Sequence, residues 1–198
     1  MKSYTCLTVI LCVAVLMCTG CTVSNFDSSH LSTAQVSERL HPQLPFASTF
    51  PNRWNQGNDG TEYEPCVAVT GAVAERLGLD PASIEDAATV DHQTARGCRW
   101  RDHEKSPWSV SQIVGNQASL AAYKSQNRSL TWRPDLEISG RQVAVSEINS
   151  TTCVTHVQSS GAGVSTLAQY ISANAPPIDE ICDRAIAFTR ATIDKMPR

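Results

Sequence analysis

The sequence predicts an α+β domain: a mainly antiparallel sheet with covering helices, in the order helix, strand, strand, helix, strand, strand, strand, helix, held by two disulfides. Three observations carry this. Short runs that alternate apolar and polar residues recur at hairpin distances. Runs with helical periodicity lie between and after them, and must cover a sheet face. Four cysteines beyond Cys21 remain, Cys66 and Cys182 in helical runs and Cys98 and Cys153 in strand runs.

Each element has its own signal. PCVAVTGAVAERLG places Val69, Val73 and Leu77 at i, i+4 and i+8, and Gly78 is a natural stop, so a helix is expected there. GCRWRD alternates, with Cys98 and Trp100 on one face and Arg99 and Arg101 on the other. PWSVSQIVG puts Trp108, Val110 and Val114 on one face, and a turn at HEKSP joins the two runs as a hairpin. QASLAAYKSQ reads as a short helix carrying Leu120 and Tyr123. GRQVAVSEI is a strand with Val143 and Val145 inward. TTCVTHVQSS is a strand with Cys153, Thr155 and Val157 on one face; after a turn at SSGAG, GVSTLAQYIS is another strand. Pro176 and Pro177 precede a closing helix whose apolar side holds Ile178, Cys182, Ala185 and Ile193.

The leader concerns location. Lys2 is followed by an apolar run, TCLTVILCVAVLMC, of roughly 14 residues, a signal-peptide length that is short for a membrane span. Gly20-Cys21 offers a small residue before a cysteine, as bacterial lipid attachment requires, although Cys18 stands where lipoproteins usually have Leu. The expected organisation is a signal peptide over 1–20, the lipidated Cys21 and a tether over 21–61, and one α+β domain over 62–198. The tether is rich in Ser, Thr, Pro, Asn and Gly, but Leu44, Phe46, Phe50 and Trp54 imply that its second half packs on the domain. LSTAQVSERL suits a short helix.

An even cysteine count in an exported chain reads as disulfides, and no Cys-x-x-Cys spacing remains to suggest zinc or redox chemistry. Four cysteines allow three connectivities. Joining each helix cysteine to a strand cysteine favours Cys66–Cys98 and Cys153–Cys182, each closing a loop of about 30 residues. The formal charge of -3 gives no electrostatic footprint for nucleic acid.

Read in order, NDGTEYEPC, RGCRW, SVSQIV, TTCVTHVQS and EICDRAIAF ending in IDKMP resemble the actinobacterial lipoproteins grouped as domain of unknown function 3558. The similarity runs from about Pro51 to Pro197 and rests mainly on structural motifs: Pro65-Cys66, Gly97-Cys98-Arg99-Trp100, Cys153 and Cys182. It implies a lipid-anchored envelope protein, supports lipidation at Cys21, and brings no catalytic residues.

Candidate sites are few. Asp91-His92 and Asp102-His103, with Glu104, lack shared spacing for metal ligation, and no metal or cofactor is expected. His156 is read as a sheet-surface residue opposite Cys153. No Gly-x-Ser-x-Gly occurs. Arg96, Arg99 and Arg101 cluster along the chain, and Arg99 and Arg101 share a strand face able to grip an anionic headgroup. Trp108 and Trp132 sit at element ends, where they would line the mouth of a helix–sheet cleft. The functional expectation is a non-enzymatic module on the outer face of the cytoplasmic membrane. It would be held there by lipid, and would bind an envelope lipid, a small ligand or a protein partner at that cleft. The alternative is a hydrolase or transferase acting on envelope lipids or glycans.

Overall fold

A computed structural model describes residues 41–103 and 105–198. The expected signal peptide, Cys21, the expected helix at 31–40 and Glu104 lie outside the described residues. The compact unit spans Leu40–Arg198.

Eight strands form one antiparallel sheet: β1 (Glu85–Asp86), β2 (Ala95–Arg101), β3 (Trp108–Asn116), β4 (Thr131–Trp132), β5 (Leu136–Ile138), β6 (Arg141–Asn149), β7 (Thr152–Ser159) and β8 (Ala162–Tyr170). The spatial order is β1-β2-β3-β8-β7-β6-β4, with β5 also paired to β6. The helices are α1 (Pro65–Ala68), α2 (Gly71–Arg76), α3 (Leu120–Gln126) and α4 (Ile178–Thr192). The α+β class, the longer strands and the closing helix are as the periodicity predicts. The three short strands are additions, because two or three residues are too few to display a period. Of these, β5 turns into β6 through Ser139 and Gly140, both at positive φ (51° and 68°), the backbone that two-residue hairpins demand.

The predicted helix over 65–78 is two helices. Val69 is extended (φ -86°, ψ 91°) and Thr70 starts the second helix. Two adjacent β-branched residues resist helical χ1 packing, and the break lets Val69, 4 % exposed, turn into the core.

Pairing fixes which side chains share a face. Cys98, Trp100, Val110, Gln112, Val114, Thr155, Val157, Thr166 and Val145 look toward α4. From α4, Ile181, Cys182, Ala185 and Phe188 enter this face fully buried, and Trp100 packs on Phe188 at 5.5 Å between ring centroids. Both disulfides lie here and join helix to strand: Cys66–Cys98 pins α1 to β2, and Cys153–Cys182 pins β7 to α4.

A polar row divides this core into two apolar clusters. Gln112 accepts from the Tyr63 hydroxyl at 2.6 Å and donates to Thr166 and Thr192 at 2.9 and 3.0 Å. Thr155 meets Thr189 at 2.5 Å, and Thr189 donates to Thr166 at 3.1 Å. Every member is buried and bonded, so the row fixes the seating of α4 on the sheet. The seam expected to hold a cleft is therefore filled with side chains.

The opposite face carries Arg99, Arg101, Ser111, Ile113, Ser165, Leu167 and His156. It is only partly covered: α3 lies over β7 and none of its residues is buried.

Candidate functional site

The largest groove of those described here, about 370 Å³, is built on the α4 side around the first disulfide. Trp100 and Cys66 lie at its base; Val67 and Ala74 from the two short helices, with Val69 between them, form one wall, and Ile84 with Pro81 forms another. Gln43, Leu44 and Pro45 complete the rim. Leu44 and Phe46 pack against the same apolar cluster as Trp100. No charged side chain lines the groove. Its chemistry suits an apolar, uncharged ligand, and its volume falls in the range of small-molecule pockets.

A buried ion network holds the segment that leads to this rim. Arg53 donates to Glu64 through both terminal nitrogens, at 2.7 and 3.1 Å, and its Nε reaches Asp86 at 3.0 Å. Arg96 donates to the same carboxylate at 3.1 Å and to the carbonyls of Asn58, Thr61 and Tyr63. Its guanidinium lies 3.3 Å from the Trp54 ring centroid, and His41 stacks on Trp54 at 4.4 Å. Burial pushes Arg96 down to about 10, with Glu64 opposing, so it stays charged at neutral pH. For Arg53 burial also works against the charge, but Glu64 and Asp86 outweigh it and the guanidinium sits above its ordinary range. Residues 52–64 are thus folded into the domain rather than laid on it. Arg96, grouped with Arg99 and Arg101 along the chain, shares instead the parity of Cys98 and Trp100 and is fully buried.

The other expected site residues are distributed over two faces. Arg99 and Arg101 both bond Glu85, Arg101 at 2.9 Å. Asp102 pairs with Arg184 of α4. Trp108 lies at the α4 seam, edge-on to Tyr170 and beneath the Arg184 guanidinium at 4.5 Å. Trp132 lies at the α3 seam on the other face, edge-on to Tyr123. Each tryptophan meets a helix–sheet seam, but not the same one. His92 is exposed beside Asp91, and among the described residues no group of three or more His, Cys, Asp or Glu side chains is placed to hold a metal.

His156 corrects the sequence reading most sharply. It is 2 % exposed, its ring stacks on Tyr123 at 3.6 Å, and Nδ1 meets Ser165 Oγ at 2.8 Å. The ring fits because position 163 is glycine. A Cβ there would lie 2.3 Å from Cε1 and 2.5 Å from Nε2. Gly163→Ala should cost about 1–3 kcal/mol by forcing the ring off Tyr123. Urea denaturation reads the loss, and the Tyr123 ring shifts in NMR read the displacement; an unchanged midpoint contradicts the packing.

Burial lowers His156 to about 4. An unfolded chain titrates near ~6.5, so it takes up a proton that the folded one refuses between those values. Stability should therefore fall as pH drops from about 6.5 to about 4, by up to ~1.4 kcal/mol per pH unit. His156→Phe keeps the stack and removes the titration. The difference in unfolding free energy between wild type and variant should slope across that window and flatten above it; a flat difference throughout contradicts the assignment. So weak a base, bonded to serine through Nδ1 and with no acid on Nε2, is poorly suited to activate a nucleophile.

Two smaller grooves, about 210 Å³ each, adjoin this residue's face. One is lined by Gly115, Asn116, Tyr123, His156 and Gly163, the other by Gln93, Arg99, Ser111 and Leu167, and Ile113 belongs to both. Sequence reasoning missed them because α3's seat over β7 is a long-range packing outcome. The one usable signal was Gly163, placed by the two-residue turn beside the His156 strand.

These features define an α+β domain with helix-to-strand disulfides and an apolar groove beside the first. The chain belongs to the family described as Protein of unknown function (DUF3558), whose model matches residues 16–195. No curated protein and no solved structure matches the chain.

Proposed function

We propose that the protein is an extracytoplasmic binding module, anchored by lipid on Cys21, that holds an apolar ligand in the groove over Trp100 without catalysing its conversion. The observation that carries this reading is the placement of an uncharged apolar groove where the chain enters the domain, with Gln43, Leu44 and Pro45 as its rim. A chain over residues 22–40 extends at most roughly 65 Å, so an anchor at Cys21 keeps the groove close to a bilayer. The two disulfides suit an oxidising compartment outside the cytoplasm. Gly20-Cys21 supplies the attachment chemistry, as expected of an actinobacterial lipoprotein.

The ligand class that fits is the acyl chain of an envelope lipid. Each buried methylene contributes about 0.8 kcal/mol, so roughly eight supply about 6 kcal/mol and affinities of tens of micromolar. The test is native mass spectrometry of residues 22–198 purified from an actinobacterial host, followed by solvent extraction. A stoichiometric lipid or other apolar molecule supports the reading. A clean apo mass, together with no uptake of added fatty acid, overturns it.

A further inference from the structure

The face of the sheet away from α4 holds hydrogen-bonding groups without partners. Among the described residues, Thr152 Oγ1, His156 Nε2 and Gln158 Oε1 are buried side-chain atoms with no bond. All three belong to β7, and their even spacing puts all three on this one face. Buried polar atoms are nearly always satisfied, so three orphans on one strand face call for a partner the protein itself does not supply.

The cover over the His156 end is light. None of the α3 residues is buried, and the helix is held mainly through two of its side chains, Tyr123 against His156 and Trp132 and Lys124 against Asp135 at 2.5 Å and the Trp132 ring. Segments held by so few buried contacts open at low cost. From His156 the two grooves run through Ile113 toward Gln93. The first has no charged lining residue. In the second, Asp86 is paired to Arg53 and Arg99 to Glu85, so the charges there already have partners.

We infer that this face is a second binding site, separate from the apolar groove, for a neutral hydroxyl-rich ligand of the saccharide class. It would run from His156 beneath Tyr123, across Ile113, to Gln93. A hydroxyl both donates and accepts, so it satisfies Nε2, the orphan atom whose side chain lines the first groove, in either tautomer. Two pockets of equal size meeting at one residue suit two linked rings, and a lining whose charges are already paired gives an ionic ligand no free partner.

The experiment is a titration of isotope-labelled residues 22–198 with maltotriose, cellotriose and di-N-acetylchitobiose, followed by the ring nitrogen shifts of His156. At least one saccharide should move the Nε2 resonance saturably. Ser111→Trp blocks the open floor without touching the imidazole, and should weaken that binding about tenfold or more. If no saccharide moves Nε2 while the spectrum stays dispersed, the orphan atoms serve water only and the inference fails. Binding unchanged by Ser111→Trp would also place the ligand elsewhere and overturn it.

Discussion

Glu64→Gln should lower the unfolding free energy by about 3–5 kcal/mol, the range for breaking a buried ion pair from one side. Glu64 is 1 % exposed at its side chain and is the one carboxylate that both Arg53 and Arg96 touch. It also accepts from the Cys66 backbone N–H at 3.2 Å, so it starts α1 as well. The amide keeps the shape but removes the charge, and leaves Arg53 with Asp86 alone as an ion partner and Arg96 hydrogen-bonded to backbone carbonyls. At about 2–4 °C per kcal/mol, the melting temperature should fall by roughly 10 °C. Urea denaturation should show a lower midpoint with unchanged slope. Asp86 is 14 % exposed at its side chain and bonds only one of the arginines, so Asp86→Asn should cost less. A Glu64→Gln loss below about 1 kcal/mol would mean that the network does not hold the 52–64 segment to the sheet.

Replacing Cys153 and Cys182 together by alanine should cost about 3–4 kcal/mol. The cross-link closes a loop of 29 residues in the unfolded chain, and the chain-entropy model assigns a loop of that length this value. Both sulfurs sit at 0 % exposure, in the apolar cluster that also holds Ile181 and Phe188. Loosening α4 there also loosens the threonine row beneath it. The two bridges should differ in reactivity. Cys66 lies against the groove, and Arg53 Nη2 approaches its sulfur at 3.0 Å, which stabilises a departing thiolate. Graded dithiothreitol followed by alkylation and peptide mapping should therefore find Cys66 and Cys98 labelled before Cys153 and Cys182. The opposite order would contradict the assigned environments.

Local patterns made the sheet and its staples readable. Alternation in GCRWRD and TTCVTHVQSS placed Cys98 and Cys153 on the faces where their helix partners arrive. The apolar stripe of the last helix was likewise visible in Ile178, Cys182 and Ala185. Arg96 was given no face of its own, because the groups that satisfy it, Asn58, Thr61, Tyr63 and Glu64, lie more than thirty residues earlier. Parity with Cys98 would have pointed it inward. His156 was misjudged for a related reason: a face that is not packed by α4 was taken as open, and only the seat of Tyr123 buries it. The break at Val69 reflects a tertiary preference, since the helical period continues through it.

The apolar groove is itself a packing product. Trp100 and Cys66 are both buried, yet they border a space that α1, α2 and the 43–45 segment leave unfilled. Pocket geometry of this kind depends on how short helices are set by a disulfide, and no single run of residues records it.

The most direct test is titration of residues 22–198, wild type and Ile84→Asp, with a fluorescent fatty acid whose emission rises in an apolar site. Ile84 is half-buried on the groove wall, so the variant should fold while placing a charge where an acyl chain would lie. The account predicts saturable one-site binding to wild type and at least about a tenfold weaker affinity for Ile84→Asp, with unchanged circular dichroism. No saturable binding to wild type, or equal binding to both, would contradict it.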